Sequence, residues 1–386
     1  MTEPQKPLVS IIIPTRNRCE KLREAVDSAL AQEGSGTTFE VEVIVVDDAS
    51  TDATPHVVPR WPGLRYQRLE QHANVSTARN AGIAMSRGDY IAFLDDDDLL
   101  LPGFVRTLLA ARADVAYGAV ITERDGVREA HGRIPHPSGD VFLDILYHNF
   151  YIQLSALLFR REVVADLGGF DETLPAMVDH DLLLRIAHHH RFVYVPGTVA
   201  VYRQSSGGLW RSTVRTGHHF SLLRRVYERA LTLHPLPDRT KRAVLDDAYL
   251  YALKDAAAYL PPNGPVSDVQ DHVVQILACL REHPRLARYP QYRHIAAHVA
   301  RALAVTRSAD AARAFTVELC RVEGRTFQAN RLVARAWVEI GIGLCLVGQW
   351  KNGCGAFLVA ASRDPTQFLA RLANVMHERA RRANFG

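Results

Sequence analysis

Four consecutive aspartates, Asp95, Asp96, Asp97 and Asp98, form the most chemically loaded stretch of this 386-residue chain. Adjacent carboxylates repel one another, and a divalent cation relieves the repulsion; hard oxygen donors select Mg²⁺ or Mn²⁺. The alternative is a solvated acidic turn. Three further clusters carry residue types that bind or move protons: Thr15 to Arg18, the pair Asp47 and Asp48, and the group Asp179, His180 and Asp181. A carboxylate near a hydroxyl can act as a general base. An Asp near a helix start can equally serve as a cap. An EF-hand loop begun at Asp95 fails, because Leu100 would stand where glycine is required and Arg106 where the bidentate Glu belongs. The first strand–helix turn lacks glycine, and neither GxGxxG nor GxxxxGK[ST] occurs, which disfavours dinucleotide oxidoreductases and P-loop NTPases. His188, His189 and His190 are consecutive, so on a helix their side chains diverge and suit a cationic C-terminus better than one shared ion.

The elements that must position these groups alternate between strand and helix. Short apolar runs rich in β-branched residues at 8–14, 41–46, 64–69 and 90–94 predict strands, and the patterns at 19–32 and 75–86 predict helices. Such an order implies an α/β fold, a mainly parallel sheet with helices on both faces and right-handed crossovers. In open sheets of this kind ligands bind beyond the carboxyl ends of the strands. The clusters after strands 8–14, 41–46 and 90–94 fall on that edge. Farther on, 114–121, 155–159 and 192–195 are strand candidates, 122–137 reads as an exposed loop, and 179–189 reads as a helix. Residues 205–208 (SSGG) mark a loop.

Composition divides the chain in two. Length alone exceeds one ordinary core. Residues 1–215 hold 22 basic against 28 acidic residues, a net −6; residues 216–386 hold 24 against 14, a net +10, and the two average to +4. We expect an α/β catalytic domain over 1–215 and an all-α domain over 216–386, where Ala, Leu and Arg recur at helical spacing. Within the latter, Trp337, Gly341, Leu344, Gly348, Trp350, Phe357, Ala360 and Pro365 follow the spacing of one tetratricopeptide repeat, or of a plain helical hairpin. Five cysteines without CxxC spacing suggest reduced thiols. No apolar run approaches the roughly 18–20 residues of a membrane span, and the polar start is unlike a signal peptide, so a cytoplasmic location is expected. The dispersed arginines of the basic half argue against nucleic acid. They leave open solvated helix faces, peripheral association with an anionic inner membrane face, a polyanionic acceptor, or self-association into a homo-oligomer.

Taken together, SIIIPTRNR, VIVVDDASTD, ARNAGIAMSRGDYIAFLDDDD and DHDLLLR resemble, in order and spacing, the family 2 glycosyltransferases of the GT-A fold, over roughly residues 8–205. The resemblance implies an inverting transferase that moves a sugar from a nucleotide-sugar donor, a UDP-sugar by default, to a hydroxyl of a glycan, lipid-linked or protein acceptor. It implies that Pro14, Thr15, Arg16, Asn17, Asp47 and Asp48 serve the nucleotide, Asp48 accepting from the uracil N3–H. Asp95 would meet the ribose, Asp96 would lie at the donor, and Asp97 would bind Mn²⁺ or Mg²⁺ at the diphosphate. Arg79 would lie beside the donor or tether the neighbouring acids, and Asp179 would be the catalytic base, with Asp181 as the rival.

The family pattern is broken in places. Val178 replaces an acid, His180 an aromatic residue, and Gln204 follows Tyr202 and Arg203 where many relatives place a metal-binding histidine, a role left to His218 or His219 if it is filled. Alongside Asp181, His180 is a candidate for acceptor contact, and Trp210 and Arg211 for a lid over the donor. The competing readings are a sugar nucleotidyltransferase, whose GxGxRxxPxT loop is absent, and a non-catalytic interaction protein with a vestigial pocket.

Overall fold

The computed structural model describes residues 6–130, 136–147, 152–204, 213–214 and 218–258, with isolated positions between 278 and 360. In chain order the elements are β1 (Leu8–Thr15), α1 (Cys19–Leu30), β2 (Glu40–Asp47), α2 (Thr54–Val57), β3 (Leu64–Arg68), α3 (Val75–Met85), β4 (Tyr90–Phe93), β5 (Leu99–Leu100) and α4 (Phe104–Leu109). There follow β6 (Val115–Arg124), β7 (Val127–Ala130), α5 (Phe142–Leu146), β8 (Leu157–Arg160), α6 (Arg161–Ala165), α7 (Val178–His189), β9 (Phe192–Arg203), α8 (His219–Leu233) and α9 (Asp238–Ala258).

The strands form one nine-stranded sheet in the order β3-β2-β1-β4-β8-β6-β9-β5, with β7 paired to β6. The first four strands run parallel, β1 between β2 and β4, in registers that align Thr15 with Asp47 and Ile12 with Phe93. The later strands introduce antiparallel pairs β4–β8, β6–β8, β6–β7 and β5–β9, while β6–β9 is parallel. The sheet is therefore mixed, and the parallel character expected from the sequence belongs to its first half. The predicted loop at 122–137 is corrected in part: β6 continues to Arg124 and turns back into β7. The turn is Asp125-Gly126, both at positive φ, and β7 is exposed along its length, so its polar sequence conceals a solvated edge strand.

Strand β1 explains why the sheet is covered on both sides. Val9, Ile11 and Ile13 pack with Leu22, Ala25, Val26 and Ala29 of α1, all essentially sealed from solvent. Ile12 points the other way and meets α3, so closely that a Cβ on Gly82 would stand 2.3 Å from Ile12 Cγ2. On that face Phe93 makes edge contacts with Phe159 and Phe170, at centroid distances of 6.1 and 5.0 Å. Helix α3 is started by Asn74, whose side chain accepts from the Thr77 N–H.

Contacts divide the chain into two compact units. One comprises Met1–Gly208 and Arg225–Leu236, the other Leu209–Arg224 and Pro237–Gly386. In the first unit His180 of α7 stacks on Tyr227 of α8 at 5.6 Å, and Tyr227 donates to the Leu146 carbonyl at 3.0 Å. Burial pushes the His180 imidazole down to about 4. In the second unit Val244, Ala248, Ala252 and Leu253 form a buried face of α9, and His219 Nε2 lies 3.3 Å from the Ala252 carbonyl. The stretch resembling a tetratricopeptide repeat lies outside the described residues, isolated positions such as Ala360 apart.

Two outcomes follow from this packing. Gly82→Ala should lower stability by about 1–3 kcal/mol through overpacking against Ile12, although Ala normally gains about 1 kcal/mol over Gly within a helix; thermal melting of the variant gives the sign. For His180 the folded pKa lies below the unfolded value near 6.5, so its contribution is complete above about pH 6.5. That contribution is lost as pH falls toward about 4, to a limit of about 3 kcal/mol. Carboxylates held low in the fold, such as Asp52 and Asp171, act below that window. Asp96, Asp97 and Asp98, held above the usual carboxylate range, act in the opposite direction within the window, so the measurement is a difference: in urea titrations between pH 7 and 4 the unaltered protein should lose stability relative to His180→Phe as pH falls.

Candidate active site

Chain order reverses direction across the sheet between β1 and β4: β2 and β3 follow to one side of β1, and β4 returns on the other. The carboxyl ends of β1 and β4 thus flank the switch point at which open α/β sheets leave a crevice. Asp95 to Asp98 occupy the turn after β4, closed by Asp98 N–H to the Asp95 carbonyl at 3.0 Å. The carboxylates are met by parts of the fold that lie far apart in sequence. Arg79 Nη2, from α3, reaches Asp95 Oδ1 at 2.6 Å. Thr15 Oγ1, at the end of β1, donates to Asp96 Oδ2 at 2.7 Å. Arg18 Nη1 bridges Asp96 Oδ1 at 2.9 Å and Asp97 Oδ2 at 2.8 Å. Asp98 accepts from Ser155 Oγ at 2.8 Å and from the Arg203 N–H at 2.9 Å.

These partners sort the four acids by access. Asp96 and Asp98 are buried, whereas the Asp95 side chain is 42% exposed and that of Asp97 14%. Burial pushes the Asp96 carboxyl up to about 6 against the pull of Arg18. Burial also raises Asp97, with Asp95 adding to it, and holds Asp98 well above the usual carboxylate range. The raised values come first from burial, and repulsion among the neighbouring acids adds to it. Arg79 is buried, lies 5.1 Å from the Phe170 ring centre, and its Nε has no hydrogen-bond partner among the described residues.

The end of β2 is built differently. Asp47 is fully buried and accepts from the Ser50 N–H at 2.8 Å and from Tyr66 Oη at 2.7 Å, so it folds the turn that follows it. Asp48 accepts from the Ala73 N–H at 2.7 Å, and its second oxygen lies 2.8 Å from His72 Nδ1. Asn17, at φ 53°, accepts from the Thr51 N–H at 2.7 Å and from the Asp52 N–H at 3.3 Å, joining the β1 and β2 exits. Pro14 is buried within β1, and Arg16 is exposed beside the cluster.

Helix α7 opens after Met177, which adopts a left-handed conformation at φ 59°. Asp179 is partly exposed in the first turn, its Oδ1 accepting from the His180 N–H at 2.9 Å. Asp181 is buried and fully engaged: Arg185 Nε lies 2.9 Å and Arg229 Nη1 3.4 Å from its oxygens. Arg185 also donates to the carbonyls of Leu167 and Gly169, at 3.0 and 2.7 Å. Gly169 sits at φ +70°, and a Cβ there would stand 2.4 Å from Asn80 Oδ1. Asn80 in turn exchanges hydrogen bonds with Phe170, 2.9 and 3.0 Å. A continuous set of contacts therefore runs from α7 through Phe170 to Arg79 and Asp95.

Of the residues nominated from sequence, the structure gathers Thr15, Arg79, Asp95, Asp96 and Asp97 at one strand edge, and Asp47, Asp48 and Asn17 at the next. His180 faces Tyr227, and Trp210 and Arg211 lie outside the described residues. Of the two histidines considered for the family's missing ligand, His219 is buried in the second unit. Gln204 is engaged by Arg124 Nε at 3.1 Å, and among the described residues no group of three His, Cys, Asp or Glu side chains could hold a metal. In the last turn of α7, His188 Nδ1 faces His234 Nδ1 at 3.0 Å, and His190 Nδ1 lies 3.1 Å from Asp114. Sequence reasoning did not single out the individual roles of Arg18, His72, Arg185 or Arg229. The i,i+4 spacing of Asp181 and Arg185 was a signal for one of them.

Comparison with known proteins places this geometry. Residues 10–168 match the family model for glycosyl transferase family 2. The chain is 33% identical over 165 residues to the poly(ribitol-phosphate) beta-N-acetylglucosaminyltransferase TarP of Staphylococcus aureus (strain N315), covering 40% of this chain and 50% of TarP. It is 32% identical over 189 residues to the succinoglycan biosynthesis protein ExoO of Rhizobium meliloti (strain 1021), covering 48% and 46%. The chain thus spans about half the length of these two relatives. The crystal structure of S. aureus TarS 1–349 in complex with UDP-GlcNAc superposes with a TM-score of 0.56 at 18% identity, over 82% of this chain and 91% of that one. The mixed sheet with its switch-point acids is a GT-A fold, its residues 10–168 match glycosyl transferase family 2, and the protein is a glycosyltransferase.

Proposed function

We propose that the protein transfers a sugar from a UDP-sugar to a hydroxyl of a glycan, lipid-linked or protein acceptor, with inversion at the anomeric carbon. The observation that carries this reading is the division of the four aspartates, with Asp96 and Asp98 spent inward and Asp95 and Asp97 left accessible at the switch point. The donor nucleotide would lie along the β1 and β2 exits. There Asp48 is oriented by a backbone N–H and a partly exposed histidine, and can accept from a pyrimidine N3–H. The TarS structure, obtained with UDP-GlcNAc, makes UDP-sugars the first donors to test.

A divalent cation fits the residues present. Asp97 offers hard oxygen donors at a place where an arginine nitrogen already bridges two carboxylates, next to the partly exposed Asp95. Mg²⁺ and Mn²⁺ sites in phosphate-handling enzymes often take only one or two carboxylates and complete their shell from phosphate and water. When bound through Asp97, with Asp95 adjacent, such an ion would stabilise charge on the departing diphosphate.

The rest of the chemistry belongs to side chains. Asp179 is the proposed general base: it is partly exposed at the start of α7, whereas Asp181 is committed to Arg185 and Arg229. A single base that takes the acceptor proton while the hydroxyl attacks from the face opposite the leaving group yields inversion and needs no second nucleophilic carboxylate. Arg79 holds Asp95 in place beside the donor site. Trp210 and Arg211 remain proposed lid residues. Among the described residues no helix is long and apolar enough to cross a membrane. Peripheral membrane association and self-assembly through the basic half are proposals resting on its charge.

A thermal-shift screen of nucleotide sugars with and without Mn²⁺ tests the reading. A UDP-sugar should raise the melting temperature, and Asp97→Ala should remove the Mn²⁺-dependent part. Asp179→Asn should keep donor binding and lower turnover by about 10²–10⁴-fold. Stabilisation by no nucleotide sugar, or full turnover in Asp179→Asn, would exclude it.

A further inference from the structure

One side chain stands where a cation at the acidic turn would act. Arg18 Nη1, a single nitrogen, lies 2.9 Å from Asp96 Oδ1 and 2.8 Å from Asp97 Oδ2, bridging two acids as a point charge rather than gripping one with its planar fork. Arginine favours the bidentate fork when a carboxylate or phosphate is free to accept it. Here the fork is only partly used. The Arg18 backbone is well anchored: its carbonyl accepts from the Leu22 N–H at 2.9 Å at the start of α1, and neighbouring Asn17 ties the loop to the β2 exit. The side chain itself is 43% exposed. A fixed backbone carrying a half-exposed cationic arm can exchange partners without moving the sheet.

We infer that Arg18 is a displaceable counter-ion. It neutralises Asp96 and Asp97 while the site is empty of donor, yields Asp97 to a divalent cation, and turns its guanidinium fork to the donor diphosphate. The inference rests on the proposed reading of Asp97 as the metal ligand. The physical reason is exclusion: a divalent ion at Asp97 Oδ2 and a guanidinium nitrogen 2.8 Å from the same oxygen are like charges competing for one site. Arg18 therefore weakens cation binding to the donor-free protein and strengthens diphosphate binding to the loaded one, which makes cation and donor bind cooperatively. An arginine acting only as scaffold would shift both affinities in the same direction on removal, whereas a displaceable one shifts them in opposite directions.

The test uses the full chain, Mn²⁺ and UDP. Free Mn²⁺ is followed by electron paramagnetic resonance without nucleotide, and UDP binding by calorimetry at saturating Mn²⁺. Arg18→Met should bind Mn²⁺ about tenfold more tightly than the unaltered protein and UDP about tenfold more weakly. Arg18→Lys, which keeps the charge and loses the fork, should leave Mn²⁺ affinity near that of the unaltered protein while still weakening UDP; it also serves if Arg18→Met folds poorly. If Asp97→Asn abolishes Mn²⁺ binding but Arg18→Met leaves it unchanged or weaker, the counter-ion inference fails and the metal-site reading stands. If the unaltered protein and Arg18→Met both bind no Mn²⁺, or Asp97→Asn binds it undiminished, both fail together.

Discussion

Repulsion among four neighbouring carboxylates is the constraint around which this site is built. Two unit charges about 4 Å apart interact by about 4 kcal/mol even at an effective dielectric constant near 20, so a strand cannot end in Asp95 to Asp98 unless the fold supplies compensation. That compensation comes from parts distant in sequence: Thr15 and Arg18 after β1, Arg79 in α3, Ser155 before β8, and the backbone of Arg203 in β9. Each partner stands where it does because the strand order brings β1, β8 and β9 near the β4 exit. The sheet and the acidic turn therefore stabilise each other. A half-satisfied version would leave buried charge unpaired, the costly case for a protein interior.

The same economy of partners links the two chemical ends of the site. Arg79 touches Asp95 and lies over Phe170; Phe170 is fixed by Asn80; the turn before it is held by Arg185; and Arg185 is paired with Asp181, two residues after Asp179. Gly169 permits this path, since any side chain there would strike Asn80. Functional groups held on helices and strands whose own side chains are locked by neighbours keep a fixed geometry better than groups on loops. The left-handed Met177 at the helix start shows where the chain accepts backbone strain to set the first turn of α7.

Much of this was legible from sequence, and the remainder failed for physical reasons. Strands such as β1 and β2 are buried on both faces, so continuous β-branched runs announce them, and an acidic stop reports the end of β2 and of β4. The hairpin β6–β7 was hidden because an exposed edge strand needs no apolar face, and β9 extends past Pro196 and Gly197, residues that ordinarily signal a break. At the site, residue types reveal where charge gathers but not which oxygen each partner takes. Nothing local in the sequence separates a buried Asp96 from an accessible Asp97, because that alternation is decided by the turn and by Thr15 some 81 residues away. Arg16 and Arg18 look equivalent in the string TRNR. The left-handed Asn17 between them helps to send one to solvent and the other to the acids.

The charge asymmetry of the chain also changes meaning once contacts are known. Arg225 and Arg229 lie in the basic half of the sequence, yet in the folded molecule they belong to the first unit. Arg229 Nη1 lies 2.9 Å from Asp171 Oδ2 and 3.4 Å from Asp181, and Arg225 reaches Asp171 at 3.5 Å. Part of the positive excess therefore answers the acids of the first unit. Exposed pairs of this kind add little stability individually. Those on Asp181 act on a buried carboxylate, where the alternative is an acid with one fewer cation. A basic stretch can thus be the complement of its own chain's acidic site before it is a surface for any partner, and only arginines without such internal duties can count toward a membrane, a polyanionic acceptor or a second copy.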